Sequence, residues 1–383
     1  MNQTIQSKPR YEILDGLRGV AALLVVGFHL FETYSKGPDL QIINHGYLAV
    51  DFFFVLSGFV IGYAYDDRWG HMSLGTFFKR RLIRLHPMVI MGTVIGALLF
   101  YQTDAVYFPL VNQTPWWKLV LMALFCCTMI PAPKSWDIRG WTETNPLNGV
   151  TWSLMWEYIA NILYALIIRR LPRVALKVLV VLFALLTLDV CLNLDVFGLL
   201  GGRAYAANTV IGGWSLDAEQ GYIGLVRLLY PFFCGLLMSR VGRFIRVRGG
   251  FWWCSLLIVV MLCMPCIPGG VKGTWTCGNG IYNAICILLL FPLVVAMGAG
   301  SRVTDRRSAA VCDFLGRISY PLYITHYPWI YIQMRWMTTH PDAPLSQHVA
   351  VAVSLLIVAV LLAYATMRLY DEPVRRWLRE HWK

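Results

Sequence analysis

The sequence predicts an all-α polytopic membrane protein: a bundle of about ten transmembrane helices plus one re-entrant or interfacial helix, with both termini cytoplasmic. Three observations predict it. Hydrophobic residues make up 57% of the 383 residues and charged residues 14%, with a mean hydropathy of +0.57, whereas a soluble domain usually carries about 25% charge. The apolar residues fall into runs close to the length of about 20 that a helix needs to cross hydrocarbon. Positive charge gathers in short clusters between those runs, as at Lys79-Arg80-Arg81, Arg169-Arg170 and Arg306-Arg307, the pattern that marks cytoplasmic helix ends.

In chain order, the expected spans lie near 16–34, 48–65, 84–101, 151–168, 174–192, 222–239, 251–268, 281–299, 315–333 and 348–368. A further apolar stretch, 117–131, is shorter and runs into Pro131 and Pro133. Orientation decides whether it crosses. If it does not, and the N-terminus is cytoplasmic, 25 of the 33 Lys and Arg fall on the cytoplasmic side. The other 8 are Lys36, Lys118, Lys134, Arg139, Arg203, Arg227, Lys272 and Arg335. If it does cross, every later cluster changes sides and the bias collapses, so 117–131 reads as re-entrant or interfacial.

The net charge of +12 sits in these topological clusters, which fit anionic lipid headgroups and argue against a nucleic-acid partner. Most of the ten cysteines lie in apolar runs and read as small hydrophobes. Cys263 and Cys266 have CxxC spacing without a second pair, so no metal is expected, and a Cys266–Cys277 pairing is a weak option. The first apolar run is interrupted by Arg18 and His29, so it reads as a retained span and not a cleaved signal. The chain reads as a single membrane domain over 1–383.

Ionisable side chains at membrane depth cost a few kcal/mol and are functional candidates by default. Here they are His29, Asp51, Glu157 and His326, with Arg18 at the cytoplasmic end of the first span. Arg18 and His29 lie eleven positions apart, which returns to nearly the same helix face about 16 Å along the axis. His29 and His326 come to similar depths, and Glu157 approaches from the opposite side, so two imidazoles and a carboxylate can converge in the outer half. A histidine can take the proton of an attacking hydroxyl, and a carboxylate, Glu157 or Asp51, can hold its tautomer. Arg18, with Lys79, Arg80, Arg81 and Arg84 nearby, suits phosphate through the guanidinium fork. A pantetheine arm threaded along the Arg18–His29 face would carry a thioester from the cytoplasmic mouth to the imidazole.

Arg18 and His29 within LDGLRGVAALLVVGFHLF resemble the signature of the acyltransferase family 3 membrane proteins. Further similar segments follow in the family's order: GYLAVDFFFVLSGFVIG (46–62), FFKRRLIRLHP (77–87), GVTWSLMWEYIANILY (149–164), FLGRISYPLYITHYP (314–328) and YDEPVRRWL (370–378). The resemblance implies transfer of an acyl group, commonly acetyl, from cytoplasmic acyl-coenzyme A to a hydroxyl of an extracytoplasmic glycan or lipid-linked sugar. It implies His29 as base, Arg18 as its essential partner, and Arg80, Arg81 and Arg84 on the donor side. It also implies a bacterial cytoplasmic (inner) membrane location. Two positions depart from the pattern. Glu157 is followed by Tyr158 where many relatives carry a second acid, and His86 precedes Pro87 where an aromatic is common. No fused extracytoplasmic hydrolase-like domain is expected. The outer loops, with Asp39, Asn112, Trp136, Trp141, Asp217 and Glu219, would shape acceptor choice. The rival reading is a proton-coupled transporter or flippase using the same intramembrane His, Glu and Asp, but no internal repeat of the kind common in transporters is found.

Overall fold

The computed structural model describes residues 8–34, 41–203, 206–267 and 276–382. Lys36, Asp39 and Lys272 lie outside the described residues. α1 (Glu12–Glu32), α2 (Ala49–Tyr65) and α3 (Leu74–Leu99) are followed by a short α4 (Trp116–Cys126). α5 (Thr151–Leu166), α6 (Arg173–Leu192), α7 (Ala218–Val241) and α8 (Gly250–Cys263) come next. α9 (Cys277–Ile285) and α10 (Phe291–Gly300) form one stretch through a π-helical turn, Cys286–Leu290. α11 (Arg306–Thr325) meets α12 (Tyr327–Thr339) at His326, and α13 (Leu345–Thr366) passes through a second π-helical segment into α14 (Glu372–His381). No strand occurs among the described residues.

Among the described residues, seven stretches are long and apolar enough to cross a membrane: α1, α2 with its preceding turn, α3, α6, α7, α9–α10 and α13–α14. The chain is a polytopic membrane protein. α4, with 11 residues, is too short to cross as a helix. α5 and α8, at 16 and 14 residues, are shorter than the spans expected there. α3 starts at Leu74, capped by Ser73 accepting from Thr76 N, well before the expected 84. Arg80, Arg81 and Arg84 are therefore inside a helix, where their charge hid it from a hydropathy reading.

The expected single span 315–333 is corrected to two helices. Pro328, in the first turn of α12, has no N–H to offer the carbonyl of Ile324. That carbonyl instead accepts from Asn148 Nδ2 at 2.8 Å, so a side chain from the loop before α5 satisfies the break, as a low-dielectric interior demands. Helix α11 also begins at Arg306, so His326 stands at its C-terminal end and not near mid-helix.

Two helix pairs pack at backbone distance and frame the interior. α1 lies on α11, and α2 on α7. A Cβ at Gly19 would fall on the Leu315 carbonyl, and one at Gly58 on the Phe232 carbonyl, while Gly235 faces Val55 O in the same way. Gly58 and Gly62 have the spacing of small residues that lets membrane helices approach closely. The start of α1 and helix α14 lie at one end of the bundle, where Lys8 Nζ bonds Asp67 Oδ2 at 2.7 Å and Arg10 lines a cavity with Arg379. At the opposite, far end, two loops form a cap over the bundle. Thr144 N donates to Trp214 O at 2.7 Å, Ser215 Oγ to Thr142 O at 2.6 Å, and Lys134 pairs with Asp217 at 2.7 Å. Cys266 and Cys277 form no disulfide, so that option is not realised, and the Cys266 thiol donates to Asn44 Oδ1.

Candidate active site

Helix α1 sets the axis of the site. Arg18 Nη2 donates to Asp15 Oδ1 at 2.7 Å, and Nε donates to Ser319 Oγ of α11 at 3.1 Å. Toward the far end, His29 Nδ1 donates to Glu32 Oε2 at 2.8 Å. An ionised carboxylate only accepts, so this bond keeps the imidazole proton on Nδ1 and leaves Nε2 with its lone pair. The ring stacks on His326 at a centroid distance of 5.6 Å and meets Tyr327 edge-on at 4.8 Å. His326 is buried, its Nδ1 bonds the Leu322 carbonyl at 3.1 Å, and its Nε2 has no hydrogen-bond partner among the described residues.

Three cavities run in series past these residues. The far cavity, about 410 Å³, is walled by His29, Glu32, Glu143, Arg227 and the indoles of Trp141, Trp152 and Trp214. A narrower middle cavity, about 110 Å³, is lined by Arg18, Arg81, Arg84, Glu157, Ser57 and apolar side chains of α2. Val50 and Tyr323 border both, so the two abut there. A third cavity of about 310 Å³ opens at the terminal end, and shares Arg18, Arg84 and Tyr320 with the middle one.

The structure brings some predicted residues together and separates others. His29 and His326 are neighbours, although His326 backs His29 without lining the far cavity. Glu157 is not beside His29: its Oε1 accepts from Arg81 Nη2 at 2.7 Å and from Ser57 Oγ at 3.1 Å, in the middle cavity. Asp51 is fully buried against Arg227, at 2.7 and 3.3 Å, and Arg227 also donates to the carbonyls of Tyr47 and Gly212. This pair ties α2 and α7 to the cap. The carboxylate that holds the His29 tautomer is Glu32, not Glu157 or Asp51. Among the donor-side basic residues, Arg81 and Arg84 face the middle cavity, one helical turn apart. Arg80 is exposed, and Lys79 lies over the Trp382 ring at 5.7 Å. The two departures from the family pattern meet each other, His86 Nδ1 lying 3.1 Å from Tyr158 Oη.

Sequence reasoning missed three groups. Glu32 follows His29 by three residues, a spacing that places both on one face; that signal was available. Glu143 sits in the far cap with no periodicity to point to it. Its Oε2 accepts from Tyr331 Oη at 2.9 Å, and Tyr331 is stacked under Arg139 at 3.8 Å. Burial pushes the Glu143 carboxyl up to about 7, with Arg139 and the Tyr331 bond pulling the other way. The third group is the arginines of α14, which the sequence reading used for orientation and, through YDEPVRRWL, for the family resemblance, without giving them a place in the site.

A family model described as an acyltransferase domain matches residues 11–368. A protein of the picA locus of Rhizobium radiobacter is 33% identical over 168 residues, 42% of this chain and 84% of that protein. The acyltransferase MdmB of Streptomyces mycarofaciens is 28% identical over 172 residues, 43% of this chain and 41% of that protein. The O-acetyltransferase OatA of Staphylococcus aureus is 24% identical over 387 aligned positions, 96% of this chain but 58% of that protein. No solved structure matches. With nearly the whole chain covered by the family model, this protein belongs to that acyltransferase family.

Proposed function

We propose that this protein is a ten-span acyltransferase of a bacterial inner membrane, with both termini cytoplasmic, that moves an acetyl group from cytoplasmic acetyl-coenzyme A to an acceptor hydroxyl on the outer side. The observation that carries this reading is the series of abutting cavities, from an arginine-lined mouth at the terminal end to His29 beneath the far cap. The similarity to the staphylococcal O-acetyltransferase supports acetyl and an oxygen acceptor. Lysine and arginine placement supports the orientation.

In this reading the phosphates of the donor stay among the arginines and the narrow middle cavity takes the pantetheine arm. The thioester reaches the neck at Val50 and Tyr323, within reach of the far cavity. Nε2 of His29 takes the proton as the acceptor oxygen attacks the thioester carbonyl carbon, and Glu32 stabilises the imidazolium. The C–S bond breaks, and the proton passes to the departing thiolate to give free coenzyme A. Three indoles and the carboxylate of Glu143 suit a sugar ring, by stacking and hydrogen bonding, which favours a glycan or lipid-linked sugar. The test supplies radiolabelled acetyl-coenzyme A to inside-out vesicles carrying the native envelope acceptor. Label in enclosed material with wild type and not with His29→Ala is the expected result. No label from folded wild type would count against acetyl transfer.

A further inference from the structure

The terminal cavity is built on a cationic surplus larger than the middle cavity needs. Helix α14 contributes Arg375, Arg376 and Arg379, facing Arg84 of α3 and Arg10 and Arg18 from the N-terminal side, and Arg317 of α11 completes the ring. Two carboxylates, Asp371 and Glu372, share the lining. They are committed: Asp371 pairs with Arg375 at 2.9 Å, and Glu372 with Arg317 at 2.6 Å. Arg10 and Arg18 both lie on Asp15. Arg84, Arg376 and Arg379 have no hydrogen-bond or ion-pair partner among the described residues. Three unpaired guanidinium groups around a cavity of about 310 Å³ form a site for an anion with several phosphate oxygens.

We infer that α14 is the clamp for the 3′-phosphorylated nucleotide end of coenzyme A, and that this protein therefore distinguishes coenzyme A from its dephospho form. This rests on the acyl-coenzyme A reading above and adds to it a site and a specificity. The charge count favours the 3′-phosphate. The diphosphate bridge carries one charge per phosphorus, which Arg84 and the one net positive charge left where Arg10 and Arg18 share Asp15 match at the junction of the two cavities. The 3′-monoester adds about −1.5 to −2 more, the amount that Arg376 and Arg379 are placed to meet. Helix α14 is also coupled to the chemistry through Arg84, which lines both the clamp and the middle cavity. An anionic lipid headgroup offers related chemistry from the leaflet, so the test separates the two.

The full-length protein, in phosphatidylcholine nanodiscs, is titrated with coenzyme A and with dephospho-coenzyme A. The comparison is wild type against Arg376→Ala/Arg379→Ala. Both side chains are exposed, so the double variant keeps its fold. Wild type is expected to bind coenzyme A about tenfold or more tightly over the dephospho form, and the double variant to lose that preference while its affinity for dephospho-coenzyme A stays within about twofold. Equal binding of both ligands by wild type overturns the clamp and leaves the donor reading standing. No binding of either ligand overturns both. Unchanged coenzyme A affinity in the variant, with a loss of co-purifying or added phosphatidylglycerol, assigns the cavity to lipid and overturns the clamp.

Discussion

At the scale of single residues, the site separates two carboxylates by their surroundings. Glu32 is half exposed and bonded to an imidazole, while Glu143 is buried with a tyrosine hydroxyl as its hydrogen-bond donor. In the proposed mechanism Glu32→Gln removes the charge that steadies the imidazolium, and it offers Nδ1 an amide that can point either way. We expect kcat to fall about 10- to 100-fold with KM for the acyl donor nearly unchanged, measured as steady-state transfer. Glu143 carries a pH signature of its own. Its folded value of about 7 lies above the unfolded value, so its carboxyl supports the fold at low pH and that support is lost as pH rises from about 4.5 through 7. Glu143→Gln is neutral throughout. The variant should therefore melt close to wild type at pH 5 and above it at pH 8, by on the order of 1–3 kcal/mol, read by thermal unfolding in detergent. A constant offset at both values would show that the carboxyl does not titrate across this range.

At the scale of elements, what the sequence could and could not reveal has physical causes. The Arg18–His29 axis was legible because helical periodicity fixes which residues share a face. Arg81 and Arg84 were legible as a class, but only the start of α3 at Leu74 separates them from Lys79 and Arg80. The break between α11 and α12 was hidden because apolar character runs on through Tyr327, and the carbonyl it frees finds Asn148 far away in sequence. Asp51 and Arg227 illustrate the same limit. Each looks like an isolated charge in its own helix, and only the packing of α2 on α7 reveals that they cancel. Removing one partner of a fully buried pair strands the other and costs about 3–5 kcal/mol. Asp51→Asn should therefore lower the melting temperature and the yield of folded protein, while Asp51→Leu/Arg227→Met recovers much of the stability. Melting of the three proteins by size-exclusion fluorescence decides it. If the double variant is no better than the single one, the pair does more than neutralise itself.

At the scale of the whole molecule, the cavities meet only where Val50 and Tyr323 stand between them. The hydroxyl of Tyr323 is held by Ser153 Oγ at 2.8 Å and by the carbonyl of Val150 at 3.2 Å, so the neck has one anchored wall and one small one. Filling the small wall should divide binding from transfer. Val50→Trp is expected to bind coenzyme A within about threefold of wild type and to lose transfer at least 100-fold, measured by ligand titration and by the vesicle assay on the same preparation. Loss of binding as well would mean that the donor does not lie in the middle cavity. None of this organisation could be read from the chain, because the neck is made by residues from α2 and α11 whose side chains are ordinary for a membrane helix.

That same neck has a consequence for the cell that carries the protein. In the proposed reaction the neck has to pass a pantetheine arm, and a gap of that size would also pass a file of water, which conducts protons. Across an energised membrane each charge that slips through dissipates about 2.3 kcal/mol per 100 mV. Val50 and Tyr323 would then be the plug of a potential short circuit, with the arm filling the gap during the proposed turnover. A catalyst built this way has to be corked whether it is working or idle, so growth on a limiting proton-motive force would penalise a loosened neck even where acyl transfer is dispensable.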